Sequence, residues 1–196
     1  MKTILLMRHS IADKTIGNNE NHPLTENGLL KAKEFSKNPI FKHINQVISS
    51  PYLRAKQTAS IFSNNIILDN RLVERKIGDK QTAHISQWKK QYDDHNYKNT
   101  NGESLNEVKT RMTDCINDLL NKMNENETIL IVSHATSICS YLLNNCSIQV
   151  TDEINKIRKI TFNHKIILED RIQTPCCFMI QYKENKIINI EYIKNK

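Results

Sequence analysis

The chain has 196 residues, 38% apolar and 25% charged, which fits one folded domain with a continuous core and excludes a disordered or low-complexity chain. Its net charge of +7 comes mainly from Lys scattered singly, with no dense basic stripe, so neither nucleic acid nor a membrane surface is an expected partner. No apolar run approaches the roughly 18 residues of a membrane span, and five cysteines (Cys115, Cys139, Cys146, Cys176, Cys177) without zinc or CxxC spacing suit a reduced, cytoplasmic protein that holds no metal.

The apolar run Ile4-Leu5-Leu6-Met7 predicts a first strand over residues 3–7, which runs straight into Arg8-His9 and leaves no room for a signal peptide. A polar loop follows, then a helix opening at Leu24-Thr25-Glu26-Asn27-Gly28 with Thr25 as N-cap. Gln46-Val47-Ile48 is a second strand. Ser50 and Pro51 then read as N-cap and first residue of a helix reaching about residue 64. Ile66-Ile67-Leu68 is a short third strand. Residues 75–102 read as an insertion with one short helix over 85–92. Ser104-Leu105-Asn106-Glu107 is a capping box opening a long amphipathic helix to about residue 123. Ile129-Leu130-Ile131-Val132 is a fourth strand, with a helix over 137–143 behind it. Residues 147–172 suggest no definite element. Segments 176–182 and 186–192, joined by Glu184-Asn185, predict a C-terminal hairpin. The alternation implies a single α/β domain over 1–196: a mainly parallel central sheet with helices on both faces, a small inserted helical subdomain and the hairpin.

Ligands of open α/β sheets bind just beyond the carboxyl ends of the parallel strands. Arg8 and His9 leave the first strand there, Arg54 lies in the first turn of the helix after the second, Glu74 follows the third, and His134 follows the fourth. Two guanidinium groups, two imidazoles and one carboxylate are thereby delivered to one edge. The set suits phosphoryl transfer. Planar bidentate arginines hold phosphoryl oxygens. A neutral imidazole attacks phosphorus, a second binds the oxygens, and a carboxylic acid serves the leaving group. Only 7 of the 28 basic residues are Arg, so two of them at one edge stand out from a Lys-rich background.

The chain resembles the histidine phosphatase superfamily, the phosphoglycerate-mutase-like proteins. The resemblance rests on Leu5-Leu6-Met7-Arg8-His9-Ser10, Pro23-Leu24-Thr25-Glu26-Asn27-Gly28, Ser49-Ser50-Pro51-Tyr52-Leu53-Arg54-Ala55-Lys56-Gln57-Thr58-Ala59, Leu72-Val73-Glu74-Arg75-Lys76-Ile77-Gly78, Asn101-Gly102-Glu103-Ser104 and Val132-Ser133-His134-Ala135. These blocks keep the family order over roughly residues 1–145. The resemblance implies a phosphomonoesterase of the histidine acid phosphatase type without a cofactor, acting on a small phosphorylated substrate. It makes His9 the phosphorylated nucleophile, Arg8, Arg54 and His134 the phosphate ligands, and Glu74 the proton donor. Two departures stand out: Ser10 replaces the usual glycine, and Ile11-Ala12-Asp13 lacks the polar Asn found a few residues further on in many members. Ser10, His22 and Glu103 are candidates for the substrate pocket, while His43, His84, His95 and His164 read as loop or surface residues. Rival readings are a phosphoglycerate-type phosphomutase and a phosphate- or phosphoprotein-binding module with weak turnover. Oligomeric state is left open, with a homodimer among the options.

Overall fold

The computed structural model describes residues 1–79 and 85–195. In chain order the strands are β1 (Lys2–Arg8), β2 (Gln46–Ser49), β3 (Ile66–Leu68), β4 (Thr128–Ser133), β5 (Cys146–Asp152), β6 (Ile157–Phe162), β7 (Lys165–Asp170), β8 (Cys176–Lys183) and β9 (Lys186–Lys194). The helices are α1 (Glu26–Phe35), α2 (Leu53–Ala59), α3 (Ile85–Asp93), α4 (Leu105–Lys122) and α5 (Ala135–Leu142). The main sheet has the order β3-β2-β4-β1-β8-β9. Its first four members run parallel, and β8 and β9 add the antiparallel C-terminal hairpin. Glu184 and Asn185 turn that hairpin with φ of 51° and 58°, the backbone that a two-residue turn between right-twisted strands requires.

The sequence of β1 explains why the sheet is covered twice. Side chains alternate across a strand. Ile4 and Leu6 enter a core with Ile131 of β4 and Val108, Met112 and Ile116 of α4. Leu5 and Met7 enter a separate core with Val132 of β4, Phe35 of α1 and Ala55 and Ala59 of α2. A strand buried on both faces is apolar without interruption, as residues 4–7 of β1 and 129–132 of β4 are. The neighbours Cys176 and Cys177 divide the same way, one to each core, and all five cysteines are buried free thiols.

Three expectations are corrected. The helix after β2 spans only Leu53–Ala59, with Tyr52 at its N-cap position and no side-chain cap, while the Ser50 hydroxyl accepts from the Tyr52 N–H at 3.3 Å and from His134 Nε2. The helix after β4 starts two residues early, at Ala135, with His134 as its N-cap. Residues 147–172, which suggested no element, form a second, antiparallel sheet in the order β5-β6-β7. Ile148, Ile160, Phe162 and Leu168 of that sheet enter the core of the α4 and α5 side. The capping box is formed as expected: Ser104 accepts from the Glu107 N–H, and Glu107 accepts from the Ser104 N–H. Of the expected insertion, residues 80–84, including His84, lie outside the described residues, and the helix expected there is α3.

Candidate active site

Strand register assembles the site. β1 lies beside β4 with Arg8 opposite Ser133, and β2 lies on the other side of β4 with Ser49 opposite Val132. The pairing continues one residue past each strand: the His9 N–H donates to the Ser133 carbonyl at 3.0 Å, and the Ser50 N–H to the Val132 carbonyl at 2.9 Å. His9, Ser50 and His134 therefore leave three adjacent strands side by side, and the His9 and His134 rings meet edge-on with centroids 5.0 Å apart.

The residues of α2 hold that arrangement in place. Arg54, 5% exposed, donates from Nε to His9 Nε2 at 3.1 Å and from Nη2 to His134 Nδ1 at 3.3 Å. Its guanidinium also lies 5.0 Å from the centre of the Tyr52 ring. The Gln57 side-chain oxygen accepts from the Leu24 N–H at 2.6 Å. Thr58 accepts from the Ser10 N–H at 3.0 Å and donates to the Arg54 carbonyl at 2.7 Å. The fully buried Ala55 and Ala59 let the helix pack closely on the sheet.

These bonds fix both tautomers. An arginine can only donate and a carbonyl can only accept. His9 Nδ1 lies 2.6 Å from the Ser10 carbonyl, so the proton sits on Nδ1 and Nε2 keeps its lone pair. His134 accepts from Arg54 at Nδ1, so its proton sits on Nε2 and donates to Ser50 Oγ at 2.8 Å. Both imidazoles titrate well below the ordinary range. Burial is the main cause for each; Arg8 and Arg54 add to it at His9, and the facing His9 and Arg54 at His134.

Arg8 reaches across to the loop after β7, where its Nη1 donates to the Ile172 and Gln173 carbonyls. Its buried Nε has no partner among the described residues, a donor that an oxyanion would satisfy. Burial lowers the pKa of Arg8 and of Arg54, while Glu74 pulls both back up. Glu74 sits at the start of α5, where Oε1 accepts from the Ser137 N–H at 3.2 Å and Oε2 from the Thr136 N–H at 3.3 Å, against the positive end of the helix. The segment that carries it is pinned from three sides. Ser133 Oγ donates to the Leu72 carbonyl, Ser137 Oγ to the Val73 carbonyl, and Arg111 to the Arg71 and Val73 carbonyls. Arg8 and Glu74 open onto a cavity of about 360 Å³, whose other walls include Arg75, Lys156, Arg158 and Arg171.

The structure thus brings Arg8, His9, Arg54, Glu74 and His134 together at one edge. Of these five, Arg8 and Glu74 line the cavity, while His9, Arg54 and His134 lie behind them, and Ser10, His22 and Glu103 do not join the cluster. The Ser10 hydroxyl turns away and donates to the Gly28 carbonyl at 2.7 Å. His22 is exposed and bonds the Ile16 carbonyl at 2.8 Å. Glu103 is paired with Arg111 at 2.8 Å and accepts from the Lys76 N–H. Two residues went unrecognised in the sequence. Ser50 read as a helix cap because its partner lies 84 residues away. Asn19 follows the Arg-His pair by ten residues, yet it accepts from Arg54 through its carbonyl and, at 3.4 Å, through its side-chain oxygen. It lies where a polar contact of the kind missing from Ile11-Ala12-Asp13 can come from. Among the described residues, no three His, Cys, Asp or Glu side chains gather into a metal-binding group, and no helix is long and apolar enough to cross a membrane.

Residues 4–157 match the model of the histidine phosphatase superfamily (branch 1). No curated protein sequence matches the chain. Among solved structures it is similar to a phosphoserine phosphatase from Entamoeba histolytica in complex with 3-phosphoglyceric acid, at 19% identity and a TM-score of 0.71 over 99% of this chain and 98% of that one. It is also similar to the mycobacterial glucosyl-3-phosphoglycerate phosphatase with inorganic phosphate, at 17% identity and a TM-score of 0.67 over 100% and 98%. A third, Bacillus stearothermophilus YhfR, shares 21% identity with a TM-score of 0.66 over 96% and 95%.

Proposed function

The chain belongs to the histidine phosphatase superfamily, and on that premise we propose that it is a metal-independent phosphomonoesterase working through a phosphohistidine on His9. The observation that carries this reading is the tautomer of His9: Nδ1–H is anchored on the Ser10 carbonyl, and the Nε2 lone pair faces Arg54 at the open edge of the sheet. An imidazole kept neutral by burial and two arginines is ready to attack without first losing a proton.

In the proposed reaction the phosphoryl oxygens dock on Arg8 and Arg54, which draws Arg54 off the His9 lone pair. Nε2 attacks phosphorus in line. The P–N bond forms as the bond to the leaving oxygen breaks, and Glu74, entering as the acid, gives that oxygen its proton. Water then attacks the phosphohistidine and passes a proton back to Glu74. The P–N bond breaks and inorganic phosphate departs. His134 acts chiefly through Arg54. For a direct bond to the phosphoryl group it must leave Ser50 or take up a second proton, which an arriving dianion favours.

The test is hydrolysis of an aryl phosphate with a chelator present. Phosphate release is expected to be unchanged by the chelator and lost in His9→Ala. Loss of activity in chelator refutes the metal-independent route. No release by the wild type, with phosphate binding that survives His9→Ala, favours a binding module instead.

A further inference from the structure

Of the charged side chains that line the cavity, the proposed phosphoryl chemistry uses Arg8 and Glu74, and it leaves the rest of the cavity's charge unexplained. Six basic side chains (Arg8, Lys14, Arg75, Lys156, Arg158, Arg171) line the cavity against one carboxylate, Glu74. Among the described residues none of the six forms an ion pair.

Arg158 is the most telling of them. It occupies an inward position of β6 and is 5% exposed. Its Nε donates to the Tyr92 hydroxyl at 2.9 Å, and the guanidinium lies 4.7 Å from the Trp88 ring centre and 5.3 Å from that of Tyr92. Its two terminal nitrogens make no hydrogen bond to the described residues. Burial disfavours this guanidinium, and in place of a contacting carboxylate it has the Tyr92 hydroxyl, two aromatic faces and the more distant Glu74. The hydroxyl and the two rings fix its orientation. Gln91 gives a second, independent sign. It is 1% exposed, lines the same cavity, and its Oε1 is buried without a partner among the described residues. Buried polar atoms are rarely left unpaired, so the cavity is built for a polar ligand larger than a phosphoryl group alone.

We infer that Arg158, with Lys156 and Arg171, forms a subsite for a second anionic group, so that the substrate is a phosphomonoester bearing a further carboxylate or phosphate. The inference rests on the phosphatase reading for the placement of the first phosphate. The β5-β6-β7 sheet supplies it, since Lys156 immediately precedes β6, Arg158 lies within it and Arg171 immediately follows β7. The same loop docks on the phosphoryl site: Ile172 and Gln173 accept from Arg8, and Thr174 donates to the His9 carbonyl at 2.5 Å. The two subsites therefore share one connected wall.

Calorimetric binding to the His9→Ala protein, in which no phosphohistidine forms, tests this. One arm compares 3-phosphoglycerate with glycerol 3-phosphate, which differ only by carboxylate for hydroxymethyl. The other compares fructose 1,6-bisphosphate with fructose 6-phosphate. The second anion is expected to tighten binding by about tenfold or more in at least one arm, the scale of one charge-assisted bidentate contact. The arm that responds identifies the group. Arg158→Gln is expected to bring that ratio close to one, and Arg158→Lys to restore part of it. Ratios near one in both arms, equal weakening of both members of a pair by Arg158→Gln, or no binding of any of the four overturns the inference. Failure of the phosphatase reading shows separately, as absent aryl phosphate hydrolysis by the protein that retains His9.

Discussion

Lowering the pH from 7 to 5 should destabilise the protein through His9 and His134. Both are neutral and buried, with pKa values held below their ordinary value by desolvation and by the surrounding cations. The unfolded chain carries ordinary histidines near 6.5. Below that pH the unfolded state binds more protons than the folded state, so stability is fully present above it and falls as pH drops. One imidazole kept neutral costs about 1.4 kcal/mol per pH unit, and two cost about 2.7. By pH 5 the loss approaches about 4 kcal/mol, a large fraction of a typical domain's stability. The assay is urea unfolding at half-unit steps from pH 7.5 to 5, comparing wild type with a His9→Asn, His134→Asn double variant. The wild type should lose stability steeply below about 6.5, and the double variant should show a markedly shallower slope. A flat wild-type profile, or equal slopes, contradicts the tautomers and burial on which the site rests.

Other outcomes follow from single contacts. Ser50→Ala strands the buried His134 Nε2–H, so we expect a loss of about 1–3 kcal/mol in stability and roughly tenfold or more in kcat. Partial rescue by Ser50→Thr is expected, and a thermal melt and turnover equal to wild type would refute the pairing. Gly28→Ala places a methyl 2.2 Å from the Ile11 carbonyl oxygen, which forces the segment after His9 to move by about 1 Å, and a misplacement of that size costs about 100-fold in catalysis. Values of kcat/KM and Tm both matching wild type would show that the segment yields without disturbing His9.

The fold was readable where burial follows period. Residues 4–7 of β1 and 129–132 of β4 are unbroken apolar runs because each strand is covered by helices on both faces, and each run ends where the chain meets the ligand edge. The capping box and the hairpin turn were readable because their chemistry is local. The second sheet was not, and Arg158 shows why. Inward positions of β6 are Arg158, Ile160 and Phe162, so the alternation starts on a charge that a half-buried strand normally turns outward. Register shifts in β5 and β7 blur the pattern further. The feature that hid the strand is the one that marks its use. At the site, His9, Arg8, Arg54, Glu74 and His134 were legible because each follows a strand exit in a recognisable block. Ser50 and Asn19 were not, since their roles depend on partners distant in sequence. Ser10 was misassigned to the pocket because a residue next to the nucleophile carries no mark of which way its hydroxyl turns.

The central claim is that His9 Nε2 becomes phosphorylated. Rapid acid-free quenching of the protein with a labelled phosphomonoester, followed by peptide mapping, tests it directly. The account predicts an acid-labile, base-stable phosphate on the peptide containing His9, absent from His9→Ala. Label on any other residue, or phosphate release at the wild-type rate by His9→Ala, would contradict it.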